Sequence, residues 1–193
     1  MHTHHSKLCI TPPHMLQEIV RNGSATQRDL ALRTLITSEQ MRGQRRIMKS
    51  MSAFITTIAP AGNKDRAIYD AKNGSTLPGT LVRSEGDLVS SDLAVNEAYD
   101  GSGVTYDLYF DIYGRNSINN NGLKLESTVH YQKGYDNAFG DGKQMVYGDG
   151  DEDLPPAERL FNRFTIALDV IGHELTHGVT QYEANLAYWD QSG

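Results

Sequence analysis

Asp169-Val170-Ile171-Gly172-His173-Glu174-Leu175-Thr176-His177-Gly178-Val179-Thr180 is the stretch on which the reading of this chain turns. Ile166, Leu168, Val170, Ile171, Leu175 and Val179 give its neighbourhood the spacing of a helix that buries one side. Successive helical residues are about 100° apart, so His173 and His177 are offset by only about 40° and project from one face. Two imidazoles so placed can share a metal. Glu174, beside them without being a ligand, can take a proton from a zinc-bound water whose pKa the metal has lowered to about 7. The pattern H-E-x-x-H thus combines two ligands and a general base. A buried helix that shows two histidines and a glutamate is costly unless they have a partner. Read outward, the helical pattern covers residues 160–182 and is the longest in the chain.

Ahead of it the texture differs. Ala67-Ile68-Tyr69-Asp70-Ala71, residues 77–83, Ser127-Thr128-Val129-His130-Tyr131 and Gln144-Met145-Val146-Tyr147 read as strands. Asn73-Gly74, Pro78-Gly79 and Asp141-Gly142 punctuate them as turns. Residues 91–113 read as a helix carrying Val95, Tyr99, Leu108 and Ile112, with Gly101 and Gly103 unfavourable near its middle. An acidic loop, Asp149-Gly150-Asp151-Glu152-Asp153, leads into the final helix. These elements predict an α+β fold built on a mainly antiparallel, twisted sheet.

The first fifty residues form a separate arm. They hold eight Lys and Arg against three Asp and Glu and contain no Phe, Tyr or Trp, whereas residues 51–193 hold ten basic against twenty-one acidic residues and all sixteen aromatics. Pro12-Pro13 predicts the start of a short helix that Gly23 stops, and Thr26 with Asp29 resembles a capping box for a second helix with Leu30, Leu32, Leu35, Ile36 and Met41 as its apolar members. Docking of this basic arm on the acidic body gives its charges a partner within the chain and argues against nucleic acid as the partner. At 193 residues the chain suits one domain and a small appendage. No run reaches the ~18 apolar residues of a membrane helix. A lone cysteine, Cys9, excludes a disulfide framework. The N-terminus lacks the unbroken apolar core of a secretory signal, so synthesis in the cytoplasm is expected, with later export left open.

The 169–180 stretch, with Val129-His130-Tyr131, Tyr135-Asp136-Asn137-Ala138-Phe139, Val146-Tyr147-Gly148-Asp149-Gly150 and Tyr113-Gly114-Arg115-Asn116-Ser117, resembles the thermolysin-like zinc metallopeptidases. The similarity runs from about Arg66 to the C-terminus, and the arm resembles the short propeptide of the protealysin type within that family. The resemblance implies a propeptide over residues 1–50 and, over 51–193, the N-terminal catalytic subdomain ending in the long zinc-binding helix. It implies His173 and His177 as zinc ligands, Glu174 as the catalytic base that later returns the proton to the leaving amine, and Tyr188 as the oxyanion donor. Asn137 and the carbonyl of Ala138 would hold a peptide or protein substrate as an added edge strand. Asp169 matches a position that contributes to a calcium site. The expected function is a zinc endopeptidase precursor held latent by its own propeptide.

Two departures accompany this. Gly140 stands where many relatives have tryptophan, opening one wall of the cleft. The third zinc ligand, a glutamate, would fall past Gly193 in a C-terminal helical domain missing from this sequence, whereas a catalytic zinc takes three protein ligands. Glu183 sits where metzincins place that ligand, but Thr180 occupies the position where their glycine turns the chain back. The rival reading is therefore a non-catalytic propeptide plus half-domain, acting as a binding or folding module. Within the arm, Cys9 is a candidate thiolate latch on the zinc, and Pro12 and Pro13 would resist cleavage while blocking the cleft. Maturation is expected at Ser50-Met51.

Overall fold

The two arm helices begin where local chemistry starts them. In a computed structural model, which describes residues 10–48 and 60–184 apart from the side chains of 42–48, helix α1 is Pro13–Asn22. Pro13 occupies its first turn, where a missing N–H costs nothing. Gly23 ends it as expected, returning to extended backbone while its N–H reaches the Ile19 carbonyl at 2.8 Å. Helix α2, Ala25–Met48, is the longest element. Its capping box is Ser24 with Gln27 rather than Thr26 with Asp29: Ser24 N–H donates to Gln27 Oε1 at 2.8 Å and Gln27 N–H to Ser24 Oγ at 3.3 Å. The face of α2 that packs inward is only partly the apolar one, since Leu30 and Met41 reach the body and two of the expected apolar members do not. Leu30, Ala31, Thr34, Thr37 and Ser38 are buried, while Leu32 and Ile36 stand about half exposed.

The body follows as β1 (Arg66–Asp70), β2 (Thr80–Ser84), α3 (Leu93–Tyr113), β3 (Leu125–Val129), β4 (Ala138–Gly140), β5 (Met145–Tyr147) and α4 (Leu168–Ala184). The strands form one sheet in the order β2-β1-β3-β5-β4. The α+β class holds, but the sheet is mixed rather than mainly antiparallel. Its outer pairs are antiparallel, whereas β1–β3 and β3–β5 are parallel. The reason is the crossover: α3 carries the chain back so that β3 runs beside β1 in the same direction, which a tight turn cannot do.

Successive strand residues point to opposite faces, and the last two strands show what each face meets. Ala138, Met145 and Tyr147 join Ile68, Val95, Leu125, Val129, Ile171 and Leu175 in the main core beneath α3 and α4. Phe139 and its partner Val146 form a second cluster with Tyr131 and Tyr135. Their rings meet edge to face, with centroids 5.3–5.9 Å apart. The arm touches both sides. Ile10 packs against the main core and Met41 against the second cluster, so the arm straddles the sheet edge formed by β4.

The two glycines inside α3 have a packing cause. A Cβ on Gly101 would lie 2.4 Å from Ile171 Cδ1, and one on Gly103 would lie 2.3 Å from an Arg66 guanidinium nitrogen. Asp92 caps α3, accepting from the N–H groups of Ala94 and Val95. Leu108 and Ile112, expected as apolar members, lie on its exposed side.

Candidate active site

Helix α4 begins at Leu168, eight residues after the expected start. Residues 160–167 are held out of helix by tertiary contacts. Phe164 is buried and its N–H donates to the Gly148 carbonyl at 3.0 Å, while Arg163 forks onto Glu97 and also reaches Glu152. Ile166 and Leu168 are consequently exposed, and the buried stripe of α4 is Ile171, Leu175 and Val179.

On this helix His173 and His177 face one another, their Nε2 atoms 2.8 Å apart. At that distance one neutral ring donates its N–H to the other, and both nitrogens lie on the same side of the helix, where a shared cation would take the place of that proton. His173 is exposed and His177 half-buried. Glu174 is the buried member, with none of its surface accessible, and burial first, then the Glu174 charge, push the neighbouring Tyr147 phenol upward. Among the described residues, no set of three His, Cys, Asp or Glu gathers into a metal site.

Two contacts hold α4 in place. Thr176 and the Tyr109 hydroxyl of α3 are 2.9 Å apart. At the far end Arg115 pairs with Glu183 and donates to the Ile118 carbonyl at 2.5 Å. Glu183 is thereby committed to Arg115, and α4 runs on through Thr180 to Ala184, so the geometry of a metzincin ligand is not built here. Asp169 is exposed in the first turn of α4, where a carboxylate is favoured by the helix dipole. Tyr188, Cys9 and the Ser50-Met51 bond lie outside the described residues.

Ala138 opens the edge strand β4 as the motif suggests, and Asn137 precedes it, fully buried. The Asn137 side chain grips the arm. Thr11 N–H donates to its Oδ1 at 2.9 Å, and its Nδ2 donates to the Thr11 carbonyl at 3.3 Å and to Ser38 Oγ at 3.4 Å. Oδ1 also accepts from Ala138 N–H at 2.9 Å, which fixes the amide's orientation. Thr11 is buried, Pro12 half-buried and Pro13 buried.

Helix α2 completes the seat through hydroxyls. Asp136 N–H donates to Thr34 Oγ1 at 3.1 Å, Thr37 donates to Gln132 Oε1 at 3.1 Å, and Ser38 Oγ lies 3.1 Å from the Tyr135 hydroxyl. Leu30 sits on Gly134 so closely that a Cβ there would lie 2.4 Å from Leu30 Cδ2. Among the described residues, the ion pairs Arg21–Glu18 and Arg33–Asp29 lie within the arm, and the hydrogen bonds that cross to the body are made by small polar side chains.

His130, to which the sequence gives no role, sits between two carboxylates. Its Nδ1 lies 2.8 Å from Asp149 and its Nε2 2.8 Å from Asp92. Hydrogen bonding to Asp149, opposed by burial and helped by Asp92, pushes the imidazole up to about 9. The triad ties the end of β3 to the N-terminus of α3. No local pattern signals it, because its carboxylates come from distant segments.

A model of the thermolysin metallopeptidase catalytic domain matches residues 34–181. The chain is 46% identical over 184 residues to an extracellular metalloprotease of Pectobacterium carotovorum subsp. carotovorum, covering 95% of this chain and 50% of that protein. It is 44% identical to protease PrtS of Photorhabdus sp. (strain Az29), covering 95% and 48%. Among solved structures it matches the precursor of protealysin, a metalloproteinase from Serratia proteamaculans, with a TM-score of 0.79 and 46% identity, covering 96% of this chain and 50% of that one. The chain thus spans about half the length of these relatives. No described helix is long and apolar enough to cross a membrane. With a domain match across most of its length and a nearly end-to-end likeness to two proteases, the chain belongs to the thermolysin metallopeptidase family.

Proposed function

We propose that this chain is the propeptide, residues 1–50, and the N-terminal catalytic subdomain, residues 51–193, of a zinc-dependent endopeptidase precursor. The observation that carries the reading is the paired hydrogen bond between Asn137 and the backbone of Thr11. Such an amide, at the open edge of a sheet, holds any extended chain by its main-chain atoms, independent of side chain. A peptide substrate would be held there by Asn137 and Ala138, and the arm now takes its place. Pro13 at the start of α1 turns the chain out of extended conformation, so the segment fills the edge without running along it as a substrate would.

His173 and His177 would hold the zinc. When bound, it supplies Lewis acidity to water and to the scissile carbonyl. Glu174 accepts the proton of the attacking water and carries it to the departing amine. Tyr188 donates to the developing oxyanion. Cys9 would be a further zinc ligand of the latent state, Ser50-Met51 the maturation bond, and Asp169 a calcium ligand. Export fits the relative named an extracellular metalloprotease.

A second reading, a non-catalytic module, is favoured by one observation: the described residues bring two metal-binding side chains together and not three. Elemental analysis of the purified chain after dialysis against a weak chelator, with a peptide-cleavage assay on the same sample, separates the two. Retained zinc at one per chain, with cleavage after arm removal, supports the peptidase. No retained zinc and no cleavage, in this chain and in one extended to the length of its relatives, supports the module.

A further inference from the structure

Asp136 is the carboxylate that the arm seals in. It is 3% exposed and lies between Tyr135 and Asn137, both in contact with the arm, while its own N–H is taken by Thr34 of α2. Its Oδ1 is buried without a hydrogen-bond partner among the described residues. Among the described residues, two charged groups act on it. Asp151, from the loop after β5, is itself 3% exposed and accepts from the N–H groups of Leu160 and Phe161 at 2.8 and 2.7 Å. Arg33, from α2, is exposed and bonded to Asp29 at 2.8 Å, which divides its attraction.

We propose that the seat of the arm is proton-linked: α2 lies down on Asp136 when that carboxyl is neutral, and ionisation of the carboxyl drives the arm off the body. The inference rests on the arm being docked as described. A buried carboxylate with an oxygen left unpaired is a charge the interior tolerates poorly, and ionisation is relieved when the covering helix leaves. Burial first, then repulsion by Asp151, push the group up to about 7 against the pull of Arg33. An uncovered carboxyl titrates nearer the ordinary 3.8. Between these values the docked state holds a proton that the undocked state has lost, so docking weakens as pH climbs through that window and levels off above it.

The test is hydrogen exchange of the α2 amides over residues 28–41 in the 193-residue chain, corrected for intrinsic rates, between about pH 5 and pH 8. The expected protection falls by at least about ten-fold across that range in the wild type and stays flat in Asp136→Asn, whose amide mimics the neutral acid. Should that variant not fold, Arg33→Ala replaces it, and its protection falls more steeply than the wild type's because the opposing charge is gone. Equal protection at both ends of the range in the wild type, or the same slope in Asp136→Asn, overturns the proton link and leaves the docked arm standing. Absence of protection at every pH overturns the docking itself, and with it the proposed latency.

Discussion

Ile171 of α4 packs directly on the backbone of Gly101 in α3, its Cδ1 only 2.4 Å from where a Cβ on Gly101 would stand. The contact fixes how closely the helix bearing His173, Glu174 and His177 approaches its neighbour. Gly101→Ala gains up to about 1 kcal/mol in helix propensity. It also forces Ile171, 1% exposed within the core, to move, and such overpacking costs about 1–3 kcal/mol. The expected result is a net loss of roughly 1 kcal/mol, read by denaturant unfolding, with weaker metal retention as α4 shifts. A more stable Gly101→Ala protein would show that the two helices can separate freely.

Asn137 holds Thr11 through main-chain atoms only, so the two residues differ in what their substitution does. Asn137→Ala leaves buried groups of Thr11 and Ala138 unpaired, at about 1–3 kcal/mol. The arm is expected to become roughly ten-fold or more easier to release, measured by its susceptibility to an added protease. Thr11→Ala keeps both bonds and changes release far less. Equal effects from the two substitutions would count against a substrate-like grip.

The His130 triad gives a stability signature in alkaline solution. Its folded value, about 9, lies above the ordinary 6.5, so the stabilisation is complete below about 6.5 and is lost as pH rises towards 9. Denaturant midpoints of the wild type should decline across that window, while His130→Gln starts lower and declines less. Parallel curves for the two proteins would remove His130 as the cause.

How far these features can be read from the sequence depends on the range of the interaction. The H-E-x-x-H helix, the Pro13 start and the Gly23 stop are legible because each rests on spacing within a few residues, whereas the Asn137-Ala138 edge is legible only through the family resemblance. The parallel pairing of β1 with β3 is not, since direction is set by the return of α3 rather than by either strand's composition. Nor is the polar face of α2: Leu32 and Ile36 obey helical periodicity, yet Thr34, Thr37 and Ser38 are what Asp136, Gln132 and Tyr135 require. The late start of α4 has the same origin, a local helical pattern overruled by Phe164 and Arg163.

Glu174 separates holding the metal from moving the proton. The imidazoles of His173 and His177 converge on one another, and Glu174, a neighbour in sequence, turns inward instead. Glu174→Gln retains the shape and size of the buried side chain but cannot accept a proton. Zinc binding is therefore expected to stay within about two-fold of the wild type, while peptide cleavage, assayed in the protein extended to its relatives' length, falls by about 10²–10⁴-fold. His173→Ala has the reverse pattern, removing a ligand and with it zinc retention. If Glu174→Gln lost zinc as fully as His173→Ala does, Glu174 would belong to the metal's ligands rather than to the proton's path, and the division of labour along this helix would have to be redrawn.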